Sequence, residues 1–99
     1  MDRWERKVSE TLRVMGEPSR FKILRYLTEA PRNVSEIVRA LGMGQSLVSH
    51  HLKVLKEHGL LEASRQGPFV RYGVRHPEVK EIFLLAETLV KKLKEARDV

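Results

Sequence analysis

Cysteine is absent from this sequence of 99 residues. Without cysteine the chain cannot form a disulfide framework, a thiolate metal site or a cysteine nucleophile, and an intracellular location agrees with this composition. No apolar run approaches the roughly 20 residues that are needed to span a bilayer. The stretch 1–7 is charged and lacks the apolar core of a signal peptide. We therefore expect a cytoplasmic protein that is neither exported nor inserted into a membrane.

Acidic residues are in the minority, because 13 Asp and Glu stand against 19 Lys and Arg, giving a net charge of +6. This excess favours a polyanion as partner, although many soluble proteins are basic for solubility alone. Hydrophobic residues make up 41% of the chain, which is enough for a globular core. A domain of this size buries only a modest share of its surface by folding alone, so a second copy could supply further burial.

Apolar residues recur at helical spacing through the first part of the chain and predict four helices. The first is expected at about 2–15, and the second begins near Pro18, which suits a first helical turn. Asn33 and a glutamate three residues later form a capping-box pattern that starts a short third helix. The glycine-containing stretch 42–44 is long enough only for a tight turn, and a fourth helix follows at about 45–58.

After Gly59 the periodicity changes from helical to extended. The segments 60–65 and 69–75 predict two strands, joined by a turn at 66–68, because apolar and polar residues alternate in the second segment. From Pro77 onward apolar residues return at alternating spacings of three and four, which is the pattern of a coiled-coil seam.

These elements together predict a mainly α fold with a β-hairpin wing, a winged helix-turn-helix of helices 1–5 with the wing between helices 4 and 5. The whole chain, 1–99, is expected to be one domain, with the helix-turn-helix at about 33–58, the wing at about 60–75 and dimerisation helices at about 2–15 and 77–97.

The fourth helix is predicted to have two different faces. At about 100° per residue, Val48, Leu52 and Leu55 fall on one side and the polar residues on the opposite side. A solvated surface face is the ordinary explanation of such a pattern, but the glycine turn, the capped helix before it and the basic hairpin after it jointly favour DNA recognition. The hairpin arginines are suited to contact with phosphates or with the minor groove. The alternative is that they are ordinary solvent-exposed arginines on a turn. The candidate DNA-binding residues are Gln45, Ser46, Ser49, His50, Lys53, Arg65 and Arg71.

The first and last helices each carry an apolar stripe. Such a stripe is more often intramolecular core than a subunit interface, but the wing and the helices between them already form a compact unit. A two-fold dimer that pairs both stripes would bury them and place two recognition helices on one face of DNA. The candidate dimer-interface residues are Trp4, Val8, Leu12, Val79, Ile82, Phe83, Ala86, Leu89 and Leu93.

From about Leu12 to Val79 the sequence resembles the arsenic-repressor (ArsR/SmtB-like) family of winged helix-turn-helix regulators. The resemblance implies a dimeric repressor that contacts DNA through the helix-turn-helix and wing, with the first and last helices joining the subunits. It also points to Gln45, Ser46 and Ser49, with His50, as readers of the groove. The motifs that carry it are Gly16-Glu17-Pro18-Ser19-Arg20, Ile23-Leu24, Leu41-Gly42, Gln45-Ser46, Val48-Ser49, His51-Leu52, Leu55, Gly59-Leu60-Leu61 and Arg71-Tyr72.

Two metal sites that are familiar in this family have no counterpart in the sequence. Asn33 and Ser35 stand where cysteines often start the third helix, and beyond His76 the last helix has no histidine. A packed His51 and a His58 that helps to cap the fourth helix explain the remaining histidines without a metal. We therefore predict no metal and no cofactor.

Catalysis has little support, because no nucleophile, base and orienting acid can be placed together and no glycine-rich phosphate loop is present. We predict a sequence-specific double-stranded DNA-binding regulator and no enzyme. In the leading hypothesis it is a homodimeric repressor that reads an inverted repeat through the major groove. Two alternatives stay open: a winged-helix adaptor that meets an acidic protein, and a sensor-regulator that responds to a non-thiol ligand.

Overall fold

A computed structural model describes residues 2–97 of the chain. These residues form five helices and one antiparallel hairpin, which lies between the fourth and fifth helices, so the predicted winged helix-turn-helix is confirmed. The predicted bounds hold to within one or two residues. The elements are α1 (Arg3–Gly16), α2 (Pro18–Leu27), α3 (Val34–Leu41), α4 (Gln45–Glu57), β1 (Leu61–Gln66), β2 (Phe69–Val74) and α5 (Glu78–Arg97).

The first three helices begin where a side chain satisfies the free N–H groups of the first turn. Asp2 Oδ1 accepts a hydrogen bond from the Glu5 N–H at 2.7 Å, which starts α1. Glu17 caps α2, and its carboxylate accepts from the backbone N–H of Arg20 at 2.9 Å. The predicted capping box of α3 is present, because Asn33 and Glu36 exchange side-chain to backbone hydrogen bonds. Local sequence therefore sets these helix starts.

Two glycines end helices in the left-handed region, where residues with a Cβ are strained. Gly42 caps α3 with φ +65°, and Gly59 follows α4 with φ +76°. The first of them lets the chain turn within three residues from α3 into α4, which is the turn of the helix-turn-helix.

The hydrophobic core lies between α2, α4, the start of the wing and the first turns of α5. The Phe21 and Phe83 rings pack edge to face with centroids 4.9 Å apart, which fixes α5 against α2. The buried hydrophobic side chains among residues 2–97 are Val14, Met15, Ile23, Leu24, Leu27, Ile37, Val48, Leu52, Leu55, Leu60, Leu61, Val79 and Phe83.

This core corrects part of the predicted dimer interface. Val79 and Phe83 are only 3% and 5% exposed, so they have almost no surface left to offer a partner subunit. At about 100° per residue they lie on a side of α5 that is rotated roughly 80–120° from Leu89. The apolar stripe of α5 is therefore divided between the core of the protomer and an exposed face.

The wing is a two-stranded antiparallel hairpin in which Leu61 pairs with Val74 and Gln66 pairs with Phe69. Gly67 has φ +61°, and Pro68 cannot adopt a positive φ, so this two-residue loop matches a type II′ turn. At its outer edge β2 exchanges two backbone hydrogen bonds with Arg32. The Arg32 N–H donates to the Tyr72 carbonyl oxygen at 3.0 Å, and the Tyr72 N–H donates to the Arg32 carbonyl oxygen at 2.8 Å. The wing is thereby fixed to the start of α3.

Candidate nucleic-acid interface

Helix α4 has one buried and one exposed face, as the sequence predicts. Val48, Leu52 and Leu55 are completely or almost completely buried against the core. The five predicted readers on the helix are all exposed, so their hydroxyl, amide, imidazole and ammonium groups face solvent together. They are Gln45, Ser46, Ser49, His50 and Lys53.

The start of α4 differs from the starts of α1, α2 and α3. Its N-cap is Gly44, and no side chain within residues 2–97 caps the first turn of the helix with a hydrogen bond. The N–H groups of this turn therefore point outward with the positive end of the helix dipole. Gln45 extends from the same turn and adds an amide that can both donate and accept. This end of α4 is suited to a phosphate oxygen or to a base edge.

His51 lies on the buried side of α4, which agrees with the prediction of a packed histidine. Its Nε2 is 3.9 Å from Glu17 Oε2, and its Nδ1 has no hydrogen-bond partner among residues 2–97. Burial lowers the pKa of His51, and the nearby Glu17 carboxylate opposes that shift only in part. The pKa of Glu17 is also lowered, chiefly because its carboxylate accepts the backbone hydrogen bond of Arg20. His51 is thus a neutral packing residue near neutral pH.

No group of three or more histidine and carboxylate side chains that could hold a metal ion occurs in the described part of the chain. The rings of His50 and His51 are near each other, with centroids 5.3 Å apart, but His50 is exposed and His51 is buried. His58 is the C-cap of α4 and is exposed.

The two wing arginines lie on opposite faces of the hairpin. Arg65 pairs with Val70 across the strands, and Arg71 pairs with Ser64. Cross-strand partners share a face and successive residues alternate, so Arg65 shares the face of Val70 and Tyr72. Arg71 is half-buried, whereas Arg65 is exposed near the tip. The hairpin therefore presents positive charge on both of its faces.

Sequence reasoning missed two exposed apolar residues on this side of the molecule. Leu47 extends from the first turn of α4, and Phe69 is 56% exposed at the tip of the wing. The alternation of side chains along the second strand could have indicated that Phe69 is exposed. Because Tyr72 and Val74 pack against the core, Phe69 must face the other way.

The terminal helices carry the rest of the predicted interface residues on exposed surfaces. On α1, Trp4 is 73% exposed, and Val8 and Leu12 are exposed as well. On α5 the predicted Ile82, Ala86, Leu89 and Leu93 are exposed, and Leu85 and Val90 add apolar surface that was not predicted. Within residues 2–97 no helix has both the length and the apolar character required to cross a membrane.

Comparisons with known proteins identify the family to which this chain belongs. The family model described as bacterial regulatory protein, arsR family, matches residues 17–63. The uncharacterized HTH-type transcriptional regulator MJ1325 of Methanocaldococcus jannaschii is 34% identical over 90 residues, which cover 90% of this chain and all of that protein. The chain belongs to the ArsR family.

Two further comparisons place this ArsR-family chain among regulators. The HTH-type transcriptional regulator NmtR of Mycobacterium tuberculosis is 37% identical over 76 residues, which cover 77% of this chain but only 63% of NmtR. The homodimeric winged helix-turn-helix DNA-binding domain of Mb0332 from Mycobacterium bovis superposes with a TM-score of 0.82 at 28% identity, covering 94% of this chain and 86% of that domain. The relatives are transcriptional regulators and not enzymes, so the predicted class of protein is confirmed.

Proposed function

We propose that this ArsR-family regulator is a cytoplasmic homodimer that binds double-stranded DNA of defined sequence through the major groove and represses transcription there. The observation that carries the proposal is the exposed polar face of α4, formed by Gln45, Ser46, Ser49, His50 and Lys53. Two small serines allow close approach to base edges, while amide, imidazole and ammonium groups supply donors and acceptors.

Electrostatics supports a nucleic acid as the partner of this face. The net charge is +6 per chain, and a dimer would carry twice that, +12. Lys53 on α4 and Arg65 on the wing add positive charge on the two elements that would approach DNA. Phosphate contacts of this kind supply affinity and orientation, while the polar face of α4 supplies sequence discrimination.

The exposed apolar surfaces of the terminal helices support the homodimer. Trp4 of α1 and Leu89 of α5 are large, apolar and more than half exposed in the single chain. Pairing through both helices would bury these surfaces and relate two α4 helices by a two-fold axis. The DNA site is then an inverted repeat whose half-sites lie about 10 base pairs apart. A dimer bound to such a site near a promoter would exclude polymerase.

Binding-site selection from a random duplex pool tests the proposal, followed by fluorescence anisotropy on the selected site over a salt series. We expect an inverted repeat and an affinity at least about 10³-fold above that for unrelated DNA. Weak binding that is independent of sequence at every salt concentration would refute the proposal.

A single substitution then tests the role of α4. Ser49→Ala should weaken binding to the selected site by about 30-fold or more, because a base contact is worth about 1–3 kcal/mol and the proposed dimer loses one at each half-site. Ser35→Ala is the matched control, since Ser35 is also an exposed serine but lies on α3, outside the recognition helix. Equal loss of affinity in both variants, or no loss in either, would show that α4 does not read the site.

A further inference from the structure

The tip of the wing carries a large apolar side chain that the fold does not bury. Phe69 is 56% exposed and stands directly after the two-residue turn of Gly67 and Pro68. A proline and a two-residue turn leave the backbone little freedom, so the aromatic ring is held at a defined place rather than on a flexible loop.

The contribution of Phe69 to the stability of the wing is small. Its cross-strand partner is Gln66, which is polar and itself exposed, so the pair adds little buried apolar surface. The residues of β2 that pack against the core are Tyr72 and Val74, and strand alternation places them on the opposite face of the hairpin from Phe69. The ring is therefore available to a partner.

The charge around the ring indicates what kind of partner fits. From Ala63 to Arg75 the chain contains three arginines and no acidic residue. Arg71 lies on the same face as Phe69, and Arg65 lies on the other face near the tip. An apolar wedge flanked by cations matches the minor groove of DNA, whose floor and sugars accept apolar contact between two rows of phosphates.

The dimensions of the wing agree with this placement. Six residues per strand at about 3.4 Å each give a hairpin roughly 20 Å long, which extends from a base that packs beside α4. With α4 in the major groove, the adjacent minor groove lies about half a helical turn away, roughly 17 Å along the axis. The tip can therefore reach the minor groove beside each half-site.

We infer that Phe69 is a specificity-determining residue that contacts the minor groove beside each half-site and favours flanking pairs without the guanine 2-amino group. The inference rests on the proposed function. The amino group occupies the floor of the minor groove at G·C pairs, so an aromatic ring enters more easily at A·T pairs. The wing thereby selects DNA outside the bases that α4 reads.

The test compares duplexes that carry the selected site between flanks of different minor-groove chemistry. One duplex has G·C flanks, and the other has inosine·cytosine flanks, which lack the 2-amino group but keep the major-groove edge of G·C. We expect wild-type protein to bind the inosine duplex at least about fivefold more tightly. Phe69→Ala should bind both duplexes about tenfold or more weakly than wild type and discriminate between them by less than about twofold.

Gln66→Ala is the matched control, because Gln66 faces the same side of the wing tip but has no aromatic ring. It should keep the preference for inosine flanks, and Phe69→Leu, which preserves an apolar side chain, should keep part of it. If Phe69→Ala retains the full preference, or binds weakly with unchanged discrimination, the inference is wrong while the proposed function stands. If wild-type protein binds no sequence specifically, the proposed function itself fails.

Discussion

Replacing Leu89 by glutamate should separate the subunits of the proposed dimer without unfolding them. Leu89 is 56% exposed in the single chain, so its substitution leaves the protomer core intact. Complete burial of a leucine stabilises by about 1.5–3 kcal/mol, and about half of that remains available to Leu89, so two copies in a symmetric dimer lose about 2–3 kcal/mol. Two desolvated, unpaired carboxylates at the interface add at least about 2 kcal/mol. The dimer dissociation constant should therefore rise about a thousandfold or more.

The same helix offers a matched control for this substitution. Leu84 is also a leucine on α5 and is 52% exposed, but it lies about 140° around the helix from Leu89. Leu84→Glu should leave the dimer intact. Sedimentation velocity over a range of protein concentrations measures both variants. A Leu89→Glu protein that dimerises like wild type, or a Leu84→Glu protein that dissociates equally, would show that the subunits pair through a different surface.

Three further predictions concern acid stability, capping and phosphate contact. Burial lowers the pKa of His51, so the unfolded chain binds more protons than the folded chain, and the free energy of unfolding should fall as pH drops below about 6.5 towards the folded-state pKa. Urea unfolding at pH 7.5 and 5.5 measures this loss, and His51→Leu should reduce it. Asn33→Ala should cost about 1 kcal/mol in urea unfolding, because the backbone N–H of Glu36 loses the Asn33 Oδ1 that accepts its hydrogen bond, whereas Ser35→Ala should be near neutral. Lys53→Ala should make the slope of log K against log salt concentration less negative by about two for the dimer, because each subunit loses one phosphate contact. An unchanged slope would place Lys53 away from phosphate.

The fold could be predicted because its signals are local. The capping pair at Asn33, the glycines at 42 and 59 and the change of period after Gly59 each depend on residues within a few positions of one another. The polar face of α4 follows from one helical projection, since Val48 and Leu52 define the buried side. Interactions within one turn or one hairpin are therefore visible in the sequence.

Features that depend on tertiary contact could not be predicted in the same way. A spacing of three and four residues marks apolar positions on α5 but does not say what covers them. The sequence therefore predicts Val79 and Phe83 at a subunit interface, whereas in the structure both are buried and Phe21 covers part of that face. The approach of Glu17 to His51 joins residues that are 34 positions apart, and nothing in the local pattern of either indicates it. Which part of an apolar stripe is buried depends on the tertiary packing of the protomer, and composition and spacing do not specify that packing.

The division of α5 into two faces links subunit pairing to the spacing of the recognition helices. Phe83 packs on Phe21 of α2, and α2 in turn packs against the buried side of α4 near His51. In the proposed dimer the seam is the exposed face of α5 that carries Leu89, roughly 80–120° around the helix from Val79 and Phe83, so one rigid helix connects the partner subunit to the core that carries α4. Well-packed cores shift between discrete arrangements rather than deforming continuously. In the proposed dimer a change at the seam would therefore move α4 as a unit, and the distance between half-sites would follow from how the two α5 helices pair.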